Sequence, residues 1–178
     1  MQEKISIGIS NPDWRKNMIP SDASFDGKNY YEYNGRTYYR WYYLKRKGDY
    51  DLKFKIVSTN SKYLQGISLN FANFKGKILL NGQNLPVPKG VFQHYIFREN
   101  EFPKNEFCLS VRVDDGDIFL ANASQRDSGD NFSFGAFSYA FWIETLSNGI
   151  YRFHCNDFEY DNDFDDLIFD LEIIPATL

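Results

Sequence analysis

A chain of 178 residues with 43% hydrophobic content is long enough to bury its own core, and it shows no linker, repeat or low-complexity tract, so one domain over residues 1–178 is expected. A net charge of −4 argues against duplex nucleic acid as a partner, which needs clustered Lys and Arg, and no run of about 18 apolar residues is present, so no membrane-spanning helix is expected. The aromatic share is high, with 17 Phe and 13 Tyr, and flat rings of this kind favour strands, where they pack across a pleated surface.

Taken in chain order, the segments read as strands and turns. Met1-Gln-Glu-Lys-Ile-Ser-Ile lacks an apolar h-region, so no secretory signal is expected and the compartment is the cytoplasm unless a leader has been removed. Ile5–Ile9 alternates as a first strand. The stretches around Trp14, Met18–Asp22 and Phe25–Lys28 are loop-like. Tyr33-Asn-Gly-Arg36 is a turn signal, followed by the aromatic run Thr37–Leu44. Asp51–Val57 alternates with Leu52, Phe54 and Ile56 on one face, and Gly66–Phe71 does so through Ile67, Leu69 and Phe71. Asn81-Gly82 after an apolar run predicts a tight hairpin, because both central positions of that turn need positive φ. Further strands are expected at Phe92–Phe97, Glu106–Val113, Ile118–Asn122, Tyr139–Glu144 and Gly149–His154, with a turn at Asp114–Asp117. The last strand, Leu167–Ile173, turns Leu167, Phe169, Leu171 and Ile173 inward and Asp170 and Glu172 outward. Short strands with regularly spaced turns imply an all-β protein, an antiparallel β-sandwich of jelly-roll type.

The stretch from Cys155 to Ile174 holds eight carboxylates and no Lys or Arg. Such density calls for water or a cation, and hard cations such as calcium take several oxygen ligands from clusters of this kind. Asp157, Asp161, Asp163, Asp165 and Asp166 are the candidate ligands of a structural calcium ion. An EF-hand is excluded, since Asp166 stands where that loop needs Gly and no exiting helix follows Glu172. The competing reading is that these acids face water and guard an edge strand against aggregation.

Residues about 66–113 resemble the non-catalytic sugar-binding jelly-roll domain of β-galactosidase and β-glucuronidase type enzymes and galactose-binding-like domains generally. The resemblance lies in the strand Gly66–Phe71, the Leu80-Asn-Gly82 strand end, a Pro/Gly connector to Gly90, the aromatic strand Phe92–Phe97 and the strand through Val113. Asp161-Asn-Asp-Phe-Asp-Asp-Leu-Ile-Phe169 resembles an Asp-x-Asp-Phe-Asn-Asp-Leu signature. That signature ends β-rich domains of unknown function in bacterial surface and secreted proteins and is taken there as a calcium motif; Asp165-Asp166 replaces its Asn-Asp. The resemblances imply carbohydrate as a ligand and calcium as a structural ion.

In the aromatic run, Tyr39, Trp41 and Tyr43 share one face of an unbroken strand, and Tyr38, Arg40 and Tyr42 share the other. Aromatic faces stack on sugar rings, so Arg40, Trp41 and Tyr43 are candidate ligand contacts. The alternative is that one face is core. His94 and His154 are the only histidines; His154 and Cys155, being adjacent on a strand, point to opposite faces and cannot pair as base and nucleophile. Cys108 and Cys155 read as free thiols, with a disulfide left open. No catalytic constellation is evident, so the expectation is a non-catalytic binding or accessory module for carbohydrate. A structural module that binds another protein is the second reading, and a jelly-roll polysaccharide-degrading enzyme the third.

Overall fold

A computed structural model describes residues 30–33, 35–44, 47–87, 92–126, 132–134, 140–147, 149–157 and 163–176. The expected strand Ile5–Ile9, and Trp14, lie outside them. Among the described residues the strands are β1 (Tyr30–Tyr33), β2 (Arg36–Tyr39), β3 (Tyr42–Tyr43), β4 (Gly48–Thr59), β5 (Leu64–Leu80), β6 (Gln83–Asn84), β7 (Phe92–Arg98), β8 (Glu106–Gln125), β9 (Ser133–Phe134), β10 (Ala140–Ser147), β11 (Ile150–Asn156) and β12 (Leu167–Pro175). All pair antiparallel, in the order β1-β2-β10-β11-β12-β4-β8-β5-β6, with β3 and β9 on β8 and β7 on β5.

Two long strands turn this sheet into a sandwich of jelly-roll type. The first half of β8 pairs with β4 and with the end of β5, whereas its second half pairs with the start of β5 and with β3. The ladder shifts register around Asn73 to Gly76, opposite Gly116. Gly116 has φ +80, and a Cβ there would drive into the Asn73 carbonyl; one on Gly76 would drive into the Arg112 carbonyl. These glycines let two backbones cross closely and bend together, as β-bulges do. The expected turn at Asp114–Asp117 is therefore a bend inside one strand, and the strands expected at Gly66 and Gly76 are one strand.

The bend brings the two halves face to face. Phe97 of β7 stacks on Phe107 of β8 at 4.7 Å although no ladder joins those segments, and Tyr42 of β3 meets Phe153 of β11 edge-on at 5.3 Å. Between the layers lie Leu52, Phe54, Ile67, Leu69, Ile78, Leu109, Phe141, Phe153 and Phe169, all essentially inaccessible. The alternation read for β4 and β12 is what the structure shows: Leu52, Phe54 and Ile56, and Leu167, Phe169, Leu171 and Ile173, are buried. Asp170 and Glu172 point outward, where they meet Arg152 and Lys53. Asn81 and Gly82 both take positive φ, closing the hairpin between β5 and β6.

Candidate functional site

The acidic segment is divided by the fold. Asp157 follows β11 directly, and Asp166 precedes β12; both are buried, at 0% and 4% exposure, at one end of the sandwich interior. Asp157 Oδ2 accepts from the Ser61 hydroxyl and from Gln65 Nε2 (3.0 Å), and its backbone N–H donates to Asp166 Oδ2 at 2.7 Å. Asp163 is exposed and its Oδ1 accepts the Asp165 N–H, while Asp165 Oδ2 accepts from Asn60 at 3.0 Å. The structure thus joins Asp157 with Asp166 and turns Asp165 toward the β4–β5 connection. Asp161 lies outside the described residues. Among those residues no three His, Cys, Asp or Glu side chains gather as a metal group.

Polar groups that the sequence reading did not select complete this end. Gln65 opposes Ser124 in the β5–β8 ladder, and Asn122 opposes Ile67, so the two amides are diagonal neighbours on one face. Both are fully buried. Asn122 Nδ2 donates to the Asn156 carbonyl at 2.6 Å, and Gln65 Nε2 donates to the Tyr63 carbonyl at 3.1 Å besides Asp157. The signal was present: Gln65 continues the inward set Ile67, Leu69, Phe71, and Asn122 continues Ile118, Leu120. Polar residues at core positions of a period-2 pattern are a departure that asks for a partner. Cys155 lies in the same interior, where burial first, and Asp166 second, push its thiol well above the usual range. Cys108 is also a free thiol, so the two are unpaired with each other.

A groove of about 470 Å³ opens where β2 and β10 diverge. Their pairing is confined to Tyr39 with Phe141. The lining includes Tyr39, Tyr42, Tyr151, Trp142, Arg36 and Thr145. Tyr39 stacks on Phe141 at 6.1 Å, Tyr42 sits tilted on Tyr151 at 6.2 Å, and both rest on the interior aromatics. Trp142 is half-buried; His154 stacks on it at 3.8 Å and nearly parallel, and the Arg36 guanidinium lies 4.0 Å from its ring centre. His154 Nε2 is 3.3 Å from Glu144, on the opposite face from Cys155, as adjacency required. Burial is the largest influence on the His154 imidazole and holds it below the ordinary value, with Glu144 pulling the other way.

The candidate contacts in the aromatic run fall on a different surface. A bend at Arg40 separates β2 from β3, so Tyr39 and Tyr42 share the groove side, not Tyr39 and Trp41. Trp41 meets Phe119 edge-on at 5.2 Å, and Tyr43, 38% exposed, stacks over the same ring at 5.3 Å. Phe119 thereby joins Trp41 with Tyr43, and Arg40 is half-buried at the bend.

A second groove, of about 410 Å³, is lined by Lys53, Lys55, Glu106, Asp170, Glu172 and Cys108, among others. Its charges are spent on one another: Lys55 on Glu106 (2.9 Å), Lys53 on Glu172 (3.7 Å) and Asp170 on Arg152 (2.7 Å). No helix among the described residues is long and apolar enough to cross a membrane. Comparison of the chain with protein-family models, with curated proteins and with solved structures gives no match in any of the three.

Proposed function

We propose that this protein is a non-catalytic binding module whose ligand is a carbohydrate seated in the tyrosine-lined groove. The observation that carries the reading is the convergence of Tyr39, Tyr42 and Tyr151 around that groove, with Arg36, Thr37 and Thr145 at its side. Aromatic faces supply apolar contact area at small entropic cost, and a few polar groups set orientation; a volume of about 470 Å³ falls within the range of ligand sites. Sugar rings present one apolar face and a rim of hydroxyls, which suits such a lining. The described lining contains no Asp, Glu or His, whereas glycoside hydrolysis works through a pair of carboxylates. This favours binding over cleavage.

The test is a titration with a panel of neutral mono- and oligosaccharides, followed by tryptophan fluorescence and by NMR line shifts. Tyr151→Ala is expected to weaken the best ligand about tenfold, equivalent to about 1.4 kcal/mol, and Tyr43→Ala to leave it unchanged. If Tyr43→Ala abolishes binding and Tyr151→Ala does not, the ligand lies on the Trp41–Tyr43 surface. If no sugar binds, the carbohydrate reading falls, and a groove of half-buried aromatics beside an arginine suits contact with another protein.

A further inference from the structure

The tyrosine-lined groove has unlike walls. One is the β1–β2 hairpin, which supplies Arg36, Thr37 and Tyr39; the other is formed by β10 and β11, which supply Ile143, Thr145 and Tyr151. Among the described lining residues Arg36 carries the one formal charge, and no carboxylate stands among them to answer it. The acids nearby are engaged elsewhere. Glu32, opposite Thr37 in the hairpin, accepts the Thr37 hydroxyl at 2.6 Å. Glu144 faces His154 at 3.3 Å, and Asp170 holds Arg152 in a fork at 2.7 and 3.0 Å.

Arg36 is held by its flat side. Its guanidinium carbon lies 4.0 Å from the centre of the Trp142 ring, and His154 stacks on that same ring at 3.8 Å. The negative face of an indole attracts a cation placed over it. Such a contact engages the face of the guanidinium, whereas its five N–H donors lie in its plane. Among the described residues no hydrogen bond or ion pair takes up those donors. The charge is felt locally: burial, and after it Arg152 and Arg36, hold the His154 imidazole below its ordinary value against the pull of Glu144. Donors of this kind discriminate between sugars. A sugar hydroxyl accepts a neutral group's share of them. An anionic substituent accepts charge-assisted bonds, frequently two in parallel, and these are about twice as strong as neutral ones. One cation suits a group with one negative charge. A phosphate, at about −1.5 to −2 near pH 7, would call for a second cation. Carboxylate and sulfate ester each carry a single charge.

We infer that the groove selects acidic sugars, rings bearing one negative charge as a carboxylate or a sulfate ester, and that Arg36 is the residue that pairs with this group. The inference rests on the carbohydrate reading of the groove and adds the charge class of the ligand. The tyrosines take the apolar face of the ring, and Arg36 takes its anionic substituent.

The experiment titrates the full chain with matched sets built on galactose and on glucose: the neutral sugar, its uronic acid and its 6-sulfate. Binding is followed by NMR, with the Arg36 Nε–H resonance as the local reporter. The better acidic sugar is expected to bind about tenfold more tightly than its neutral parent, and which of the acids it is names the anionic group. Raising NaCl from about 0.02 M to about 0.5 M is expected to shrink the preference, because an accessible ion pair is screened. That measurement needs no variant. Arg36→Gln is expected to abolish the preference, and Arg36→Lys, which keeps the charge but not the planar fork, to retain part of it. Equal affinity for neutral and acidic sugars in the wild type overturns the inference and leaves the carbohydrate reading standing. So does a loss by the same factor for both classes in Arg36→Gln, which makes Arg36 a support of the hairpin on Trp142. Binding of no sugar, neutral or acidic, overturns both.

Discussion

At the scale of single residues, the Arg36–Trp142–His154 cluster shows how the outer face of the first layer couples packing to protonation. The imidazole lies flat on the indole and is held below its ordinary value by burial, against the pull of Glu144. Because its folded value is depressed, the neutral form is favoured in the fold. Its contribution to stability is present above the unfolded value, about 6.5, and is lost as pH falls through the folded value. Tm is therefore expected to decline on acidification through this range, less so in His154→Phe, which keeps the stack. Glu144→Gln is expected to depress the imidazole further, read by NMR titration of the ring proton. A folded value above about 6.5 contradicts the account. The paired Arg152–Asp170 and Arg112–Asp49 forks sit at directly opposed ladder positions, where cross-strand charges contribute most.

At the scale of elements, the decisive features are the bends in β5 and β8. Gly116 combines φ +80 with backbone contact to Asn73, so Gly116→Ala meets both strain and overlap. A loss of at least about 2 kcal/mol is expected from chemical denaturation, whereas Gly82→Ala, at positive φ but in open space, is expected to cost less. These bends also mark the limit of what the chain reveals. The alternation in Asp51–Val57 and Leu167–Ile173 and the Asn81-Gly82 hairpin were legible, because period and turn chemistry are local. Asp114-Asp-Gly-Asp117 carries the same local signal as a hairpin. Only the strand opposite decides that the chain there bends and continues. The same holds for the aromatic run, where the bend at Arg40 reverses which side chains share a side. Of the acidic cluster, the sequence offered the carboxylates but not their sorting. Burial of Asp157 and Asp166, and the roles of Gln65 and Asn122, come from strand pairings distant in sequence.

At the scale of the molecule, the core is a continuous set of aromatic contacts that spans both layers. Phe153 is at its centre, 4.6 Å from Phe169, 5.3 Å from Phe141 and 5.3 Å from Tyr42 of the opposite layer. Phe153→Ala is expected to destabilise by about 3–5 kcal/mol and, since Tyr42 and Tyr151 rest on this ring stack, to weaken ligand binding in the groove as well. Equilibrium unfolding of this variant alongside Phe153→Leu separates cavity formation from loss of aromatic packing.

The position of β12 has a consequence for how the molecule is made. It lies between β11 and β4, and its partner strand β4 ends at Thr59. Until residues 167–175 have been synthesised, β4 and β11 each present an open backbone edge, and the layer that holds most of the sheet is split in two. Pairing across so long an interval is slow, and open edges invite association with other chains. Biogenesis should therefore depend on timing: a nascent chain halted before residue 167 is a substrate for chaperones, and the arrival of β12 closes the sheet in one step.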